Sequence, residues 1–225
     1  MGNMGINDLA LVNPGQLCRD EADTMAVHAR DVLDAMQVHT SLRSATAECG
    51  LVVGTTRRSG LYREGALTPR EIAPQIVASA RANRVALVFG PEDSGLANDD
   101  LRFCHRLLTI PTEPTYASLN VAQAVLLCCY EVFIAAQGEV SSSPRPLAVA
   151  ERQELMYEKL KSALLQIGFL HGDNPDHIMF ALRRVLGRAG LEDRDVRILL
   201  GMARQIEWYA SGGWRFPRGG ADSSH

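Results

Sequence analysis

Four short apolar runs in the first half of the chain predict buried β-strands. The runs cover residues 9–12, 51–54, 85–90 and 107–110, and none of them alternates polar with apolar positions. Continuous runs that are rich in Val and Leu are typical of strands covered on both faces, as in parallel sheets. The pattern therefore predicts a buried parallel sheet.

Helix-like segments separate these runs. Apolar residues at helical spacing predict helices over 21–35, 41–49 and 69–82, and a short helix is expected to begin near Leu96. Strand and helix alternate along the chain, which is typical of the α/β class. Residues 118–136 are apolar on more than one side, so this helix is expected to pack on the sheet and on a second surface, most simply a subunit interface.

The pattern changes after residue 136. A stretch rich in Ser and Pro follows, and from residue 151 onward the apolar spacing is purely helical and indicates three helices. The predicted units are an α/β domain (1–138), a linker (139–150), a helical extension (151–210) and a flexible tail (211–225).

Composition narrows the class of protein. The 225 residues are 46% hydrophobic and 22% charged, which excludes a disordered chain. The sequence contains neither an apolar stretch long enough to cross a membrane nor a signal-peptide pattern at residue 1, so we expect a cytoplasmic protein. Five cysteines without a CxxC pair and six histidines without an i, i+4 pair argue against a metal site.

The residues that follow the predicted strands are the candidate binding residues, because ligands of open parallel sheets bind beyond the carboxyl ends of the strands. Three such loops could share one pocket. Gly90 and Gly95 have the spacing of a phosphate-binding loop, but the P-loop lysine is absent, and Glu92 and Asp93 would repel phosphate. The loop favours a ligand without phosphate, for which a positive charge would suit the two carboxylates. The alternative is that its glycines only serve a tight turn.

Several motifs in order resemble those of SPOUT RNA methyltransferases, specifically the TrmJ-type tRNA 2′-O-methyltransferases of the TrmH branch. The motifs are LVNP (11–14), LVVGTTRR (51–58), VFGPEDSGL (88–96), LLTIP (107–111), YASLNVAQAV (116–125), IGFL (167–170) and NPDHIMFALRRVL (174–186). The ordered set is far more specific than any single glycine pattern.

The resemblance implies a fold, a cofactor and a reaction. The α/β domain would end in a trefoil knot that binds S-adenosylmethionine, and the protein would be a homodimer through the knot region. The reaction would be 2′-O-methylation of a ribose in tRNA, at the anticodon-loop pyrimidine in tRNA position 32. Carried over from the family, the cofactor contacts fall on Thr55, Thr56, Arg57, Gly90, Ile110, Ala117, Ser118 and Leu119.

Family members of this type often carry Ser where this chain has Ala117, so a contact there would have to come from the backbone. Ser118 and Asn120 are the implied catalytic residues: Ser118 positions the nucleotide, and Asn120 starts the helix behind it. The alternative for Ser118 is a helix N-cap, and the two roles are compatible. Tyr116 could stack on a base or pack within the knot.

The sequence departs from the family at its first residue. Related enzymes carry a strand, an asparagine loop and a helix with the catalytic arginine before the equivalent of MGNMG, and this chain begins there. Either the natural protein starts further upstream, which we favour, or the chain is a truncated, noncatalytic module that binds RNA or cofactor. On either explanation we expect the chain as given to be inactive or prone to aggregate.

Four arginines are candidates for tRNA phosphates. Arg57 and Arg58 follow a predicted strand beside the pocket, and Arg183 and Arg184 lie on the middle helix of the extension. The alternative, for the extension above all, is a solvated helix face with ordinary ion pairs. Net charge is −3, so RNA must be held by a local basic surface.

Overall fold

The computed structural model describes residues 1–16, 18–26, 29–56, 65–113, 115, 118–138, 145–171 and 175–213. Within them the strands are β1 (Ala10–Val12), β2 (Gln37–His39), β3 (Cys49–Thr55), β4 (Arg84–Val88) and β5 (Arg106–Leu108). The helices are α1 (Arg19–Met25), α2 (Arg30–Asp34), α3 (Leu42–Thr46), α4 (Pro69–Ala80), α5 (Asn98–Leu101), α6 (Val121–Gln137), α7 (Ala150–Gln166), α8 (Pro175–Ala189) and α9 (Asp193–Ala210).

The strands form two parallel sheets. One has the order β4-β3-β5, and the other pairs β1 with β2. The central strand β3 contains Val52 and Val53, which are completely buried, as the continuous apolar run predicted. For β1 the prediction of burial on both faces is wrong, because Ala10 and Val12 are exposed. The sequence did not reveal β2, since one apolar residue in QVH carries no pattern.

Two predicted helices differ from the observed ones. The segment 21–35 contains α1 and α2 rather than one helix, and residues 27–28 between them lie outside the described part of the chain. The helix predicted over 41–49 ends at Thr46, because Cys49 already pairs with Arg84 in the sheet. Pairing within the sheet therefore overrides the local helical pattern at this boundary.

Helix α4 shows how local sequence places an element on the sheet. Thr68 Oγ1 accepts a hydrogen bond from the Glu71 amide, and the Glu71 carboxylate accepts one from the Thr68 amide, which is a complete capping box. Pro69 occupies the first turn, where a missing N–H costs nothing. The helix then buries Ile72 and Ile76 in one core with Val53 of β3 and Cys128 of α6, and α6 packs on α4.

The extension packs directly on the α/β unit. Its own core includes Met156, Ala163, Val196 and Ala203 of α7 and α9. Helix α8 lies against the start of β5 at Gly187, where a Cβ would come within 3.1 Å of the His105 carbonyl oxygen, so glycine allows the two backbones to approach closely. Among the described residues no helix is both long and apolar enough to cross a membrane.

Candidate functional site

A cleft lies at the carboxyl ends of β3, β4 and β5. It holds about 780 Å³ of empty space, part of it continuous with solvent. All three predicted loops contribute to it. Among the described residues its walls consist of Thr55, Thr56, Phe89, Gly90, Pro91, Glu92, Asp93, Ser94, Gly95, Leu96, Ile110, Thr112, Ser118, Leu119, Val121 and Ala124.

The loop after β4 forms a tight turn on the floor of the cleft. A Cβ on Gly90 would lie 2.2 Å from the backbone of both Gly95 and Leu96, so no larger residue fits there without moving the chain. Gly95 has φ +67° and donates a 2.8 Å hydrogen bond to the Pro91 carbonyl. The glycines thus serve the turn, as the alternative interpretation held, and the same turn lines the cleft.

Backbone hydrogen bonds hold the opposite wall. The Thr56 amide donates to the Leu108 carbonyl at 2.9 Å, and the Leu67 amide donates to the Leu107 carbonyl at 3.0 Å. Leu67 also accepts from the Thr109 amide at 2.8 Å. These bonds extend the parallel pairing past the end of β5 and so keep the segment around Ile110 beside Thr56.

Asn120 joins two loops of the cleft. Its Nδ2 donates to Glu92 Oε1 at 2.8 Å, and its Oδ1 accepts from the Ala122 amide at 2.9 Å. Asn120 is therefore the N-cap of α6, so the alternative that Ser118 is the cap is wrong. Ser118 instead lines the cleft with an exposed side chain.

The chemistry of the walls favours a ligand that is partly apolar and partly cationic. Phe89, Ile110 and Leu119 supply apolar surface, while Glu92 and Asp93 supply two carboxylates. The described part of the lining contains no lysine or arginine. From the sequence, Glu92 and Asp93 were used only to exclude a phosphate ligand and were not predicted to be site residues. Their position directly after a predicted strand was the signal that could have identified them.

The predicted cofactor residues divide into two groups. The structure brings six of them together in the cleft: Thr55, Thr56, Gly90, Ile110, Ser118 and Leu119. The other two, Arg57 and Ala117, lie outside the described residues, as do Arg58, predicted to bind RNA, and Tyr116. What the assembled group binds stays a prediction at this point.

Arg183 was predicted to contact RNA from an exposed helix face, but its side chain is largely buried. Its guanidinium forms two hydrogen bonds to the Glu154 carboxylate, one of them 2.8 Å long from Nη2 to Oε2, and it lies 4.2 Å from the centre of the Tyr157 ring. The two side chains of the ion pair are 14% and 8% exposed. The alternative is therefore right in giving Arg183 an ion pair and wrong in placing it on a solvated helix face, and RNA contact by Arg183 stays a prediction. Burial also lowers the pKa of Arg184, and that side chain is half-buried.

His105 was not singled out by the sequence. It lies at the seam between β5 and α8, where its Nδ1 accepts a 3.1 Å hydrogen bond from the Val52 amide. Burial, reinforced by Arg183 and Arg106 nearby, lowers the pKa of His105 to about 4, so the imidazole is neutral at pH 7. The described residues contain no group of three His, Cys, Asp or Glu side chains that could hold a metal ion.

Two family models match the chain. That of the SpoU rRNA Methylase family matches residues 1–130, and that of the tRNA methyltransferase TrmJ C-terminal domain matches residues 151–214. The chain belongs to the SpoU rRNA methylase family. This confirms the resemblance found in the motifs, and it places the cleft at the strand ends of a SpoU-type α/β unit.

Named relatives agree over most of the length. The tRNA (cytidine/uridine/adenosine-2′-O-)-methyltransferase TrmJ of Pseudomonas aeruginosa is 36% identical, and the match covers 94% of this chain and 88% of that protein. The tRNA (cytidine/uridine-2′-O-)-methyltransferase TrmJ of Klebsiella pneumoniae is 39% identical over 92% of this chain and 88% of its own. The crystal structure of TrmJ from Z. mobilis ZM4 superposes with a TM-score of 0.77 at 31% identity, covering 92% of this chain and 90% of that one. The structural match supports the α/β fold followed by a helical extension.

Proposed function

We propose that this protein is an S-adenosylmethionine-dependent enzyme that methylates the 2′-oxygen of a ribose in tRNA. The observation that carries the proposal is the cleft in which three loops of a SpoU-type sheet converge. Two relatives that match along most of the chain bear names for this reaction. The substrate position we propose is the anticodon-loop pyrimidine at tRNA position 32.

The walls of the cleft suit this cofactor. S-adenosylmethionine combines a flat adenine with a sulfonium and an ammonium group, and when bound it supplies an activated methyl group. The apolar side chains of Ile110 and Leu119 would pack against the adenine, while Glu92 and Asp93 would favour the positive charges. An acidic cleft disfavours phosphate-rich cofactors for the same electrostatic reason.

The chain's own residues would contribute mainly by positioning. Ser118 stands in the cleft with an exposed hydroxyl, within reach of a nucleotide that enters from solvent. Asn120 holds the Glu92 carboxylate and the first turn of α6 in one arrangement. Alignment of the reacting groups is a large source of rate, with effective molarities on the order of 10⁵ to 10⁸ M for well-oriented intramolecular reactions.

We also propose a homodimer, working in the cytoplasm, in which α6 faces a second copy. The buried side of α6 includes Cys128 and packs towards α4. Its other side leaves Leu126, Leu127, Tyr130 and Ile134 between 42% and 51% exposed. A contiguous apolar surface of this kind is typical of an interface rather than of a solvated helix. The trefoil knot and the domain boundaries stay predictions.

The test has two steps with separate outcomes. Calorimetry of S-adenosylmethionine with the purified protein is expected to show binding. Because the chain as given is expected to be inactive, labelled methyl transfer is also measured on a form that carries in-frame upstream residues, and mass spectrometry of digested tRNA is expected to locate its product as a 2′-O-methylated pyrimidine at position 32. Absence of cofactor binding in a folded sample contradicts the proposal. Cofactor binding without methyl transfer, with or without upstream residues, would support the noncatalytic module. Transfer that appears only when in-frame upstream residues are added would support the explanation that the natural protein starts further upstream.

A further inference from the structure

Helix α8 of the extension contributes to the core that adjoins the cleft. Phe180 is buried, and it belongs to the same hydrophobic core as Val52 of β3, Cys104 and Leu96. Leu96 also lines the cleft, where it ends the turn that follows β4. A residue of the extension therefore completes the core on which one wall of the cleft rests.

The chain between two walls of the cleft is the part that α8 contacts. We call residues 96–106 the α5 segment: it begins at Leu96 in one wall, and it ends at the start of β5, which leads to Ile110 in another wall. Its regular structure is limited to α5, which has four residues, and the first residue of β5. So short a helix is not stable by itself, so packing has to fix the position of this segment.

The packing around the α5 segment is tight. Leu101 is completely buried and Cys104 is nearly so. A Cβ on Gly54 of β3 would lie 2.5 Å from Cys104 Sγ and 3.2 Å from a methyl carbon of Leu96, so the segment lies directly against the strand. Because a close-packed interior has few voids, a displacement of one side chain is passed on to its neighbours. The position of Leu96 therefore depends on how well this core is filled.

Two hydrogen bonds attach α8 to the same segment. Arg183 Nη1 donates to the Arg102 carbonyl at 3.4 Å, and Arg106 Nη2 donates to the Arg188 carbonyl at 2.7 Å. The first bond lies directly after α5, and the second lies at the start of β5. Together with Phe180, these bonds connect α8 to the α5 segment in the middle and at its end.

We propose that Phe180 is a positioning residue for the cofactor; this inference rests on the proposed function. By filling the core behind the α5 segment, Phe180 holds Leu96 and the turn with Glu92 and Asp93 in the arrangement that binds S-adenosylmethionine. Among the described residues Phe180 itself does not line the cleft, so it acts through its neighbours. The extension then has a task in cofactor binding that does not involve RNA.

The next residue on α8 provides a matched comparison. Met179 is 4% exposed and Phe180 is 8% exposed, but Met179 belongs to the extension's own core with Met156 and Val196. Successive residues of a helix point in different directions, so these two neighbours contribute to different cores. If the extension only stabilised the fold, truncation of either residue would affect the cleft equally.

The test compares Phe180→Ala with Met179→Ala in the purified protein. Each variant removes a large buried side chain, so each is expected to lower the Tm. Calorimetry measures the Kd of S-adenosylmethionine at a temperature where thermal melts show both variants to be folded. Hydrogen exchange reports on residues 90–96, where the Gly95 amide donates to the Pro91 carbonyl.

We expect Phe180→Ala to raise the Kd of S-adenosylmethionine about tenfold, because small displacements in a site weaken contacts that depend on orientation. Exchange in residues 90–96 should become faster in this variant. Met179→Ala should change the Kd by less than about twofold, as expected for a residue outside the coupled core, and leave that exchange unchanged. Phe180→Leu refills much of the volume and should recover most of the affinity.

A gentler pair makes the same comparison if Phe180→Ala does not fold. Gly187→Ala places a Cβ 3.1 Å from the His105 carbonyl oxygen and so displaces α8 from the α5 segment. Gly201→Ala on α9 adds the same methyl group where, apart from its own helix, no atom of the described residues lies within 4 Å. Both changes raise helix propensity, but only Gly187→Ala should weaken cofactor binding.

Equal cofactor affinity in Phe180→Ala and Met179→Ala, whether unchanged or reduced in both, overturns this inference and leaves the proposed function standing. Equal affinity in Gly187→Ala and Gly201→Ala has the same meaning. A folded wild-type protein that does not bind S-adenosylmethionine contradicts the proposed function itself.

Discussion

Helices α6 and α9 have similar lengths, 17 and 18 residues, and each turns one side outward, but the two outward sides differ in chemistry. That of α6 is apolar, with Leu126, Leu127, Tyr130 and Ile134, whereas that of α9 carries Arg194, Arg197 and Arg204. The difference indicates different partners. An apolar side is stabilised by exclusion of water in a protein interface, and a basic side is stabilised by release of counterions from a polyanion.

A second difference concerns their relation to the cleft. Helix α6 begins at Asn120, which binds Glu92 in the cleft wall, so substitutions at its first turn reach the site directly. Helix α9 packs on α7 and connects to the sheet through the rest of the extension. Changes on α6 are therefore expected to affect assembly and cofactor binding, while changes on α9 affect RNA affinity.

The largest expected effect on stability comes from Arg183, which lies in a buried ion pair, unlike the exposed arginines of α9. Arg183→Ala removes the partner of a buried carboxylate, Glu154, and should lower the free energy of unfolding by about 3 to 5 kcal/mol. Denaturant unfolding measures this. The double variant Arg183→Met with Glu154→Leu should recover much of the loss, because no unpaired charge is left. If Arg183→Ala unfolds like the wild-type protein but binds tRNA more weakly, Arg183 contacts RNA rather than stabilising the fold, and α8 and α9 do not differ in this respect.

The free energy of unfolding is expected to fall by about 3 kcal/mol at acid pH because of His105, which lies where α8 of the extension packs against the start of β5. The pKa of His105 is about 4 in the folded chain, below the value of about 6.5 for an unfolded histidine. Between these values the unfolded chain binds more protons, so the contribution of His105 is complete above pH 6.5 and is lost as the pH falls towards 4.

Thermal melts from pH 7 to pH 4 measure this loss. In His105→Asn the amide oxygen can still accept from Val52, but nothing titrates at that position. The variant is therefore expected to show a shallower fall of Tm over this range. An equally steep fall in the variant would assign the acid sensitivity to other groups.

Glutamate placed on the outward side of each helix tests whether the two sides bind different partners. Leu126→Glu with Ile134→Glu should raise the dimer dissociation constant by about a hundredfold, which corresponds to a loss of about 2.7 kcal/mol at an apolar interface. Light scattering after size-exclusion chromatography gives the mass. Ile198→Glu with Met202→Glu on α9 should leave the mass unchanged and weaken tRNA binding. The opposite pattern would mean that the two partners have been assigned to the wrong helices.

The smallest effect is expected at the first turn of α6. Asn120→Asp keeps an oxygen that can cap the Ala122 amide but removes the donor to Glu92 and adds a second carboxylate beside it. We expect S-adenosylmethionine affinity to fall about tenfold, which corresponds to about 1.4 kcal/mol, with little loss of stability. Calorimetry and a thermal melt separate the two. A large loss of stability with unchanged affinity would limit Asn120 to a structural role.

Much of the fold could be predicted from local pattern. The apolar runs located β3, β4 and β5. Strand β3 and most of β5 are buried, as continuous Val and Leu predict, whereas β4 is only partly buried. Thr68 and Pro69 marked the start of α4 through groups a few residues apart. The apolar run at 9–12 located β1 but wrongly predicted its burial on both faces, and β2 was missed because QVH contains a single apolar residue.

The candidate site was predictable in outline. Parallel strands bring their carboxyl ends to one edge, so the loops after β3, β4 and β5 had to meet. The hydrogen bond between Asn120 and Glu92 was not predictable, since 28 residues separate them and neither has a local pattern that names the other.

The sequence by itself determined the strands β3, β4 and β5, the long helices from α4 onward, the order of the family motifs and the acidic character of the loop after β4. These properties depend on residue types at short spacings, and physical rules of periodicity, capping and charge act at that range. Tertiary structure decided what each arginine of the extension can do. Arg183 finds Glu154 on another helix and becomes buried, whereas Arg194, Arg197 and Arg204 remain exposed because the core contacts of α9 are on its opposite side.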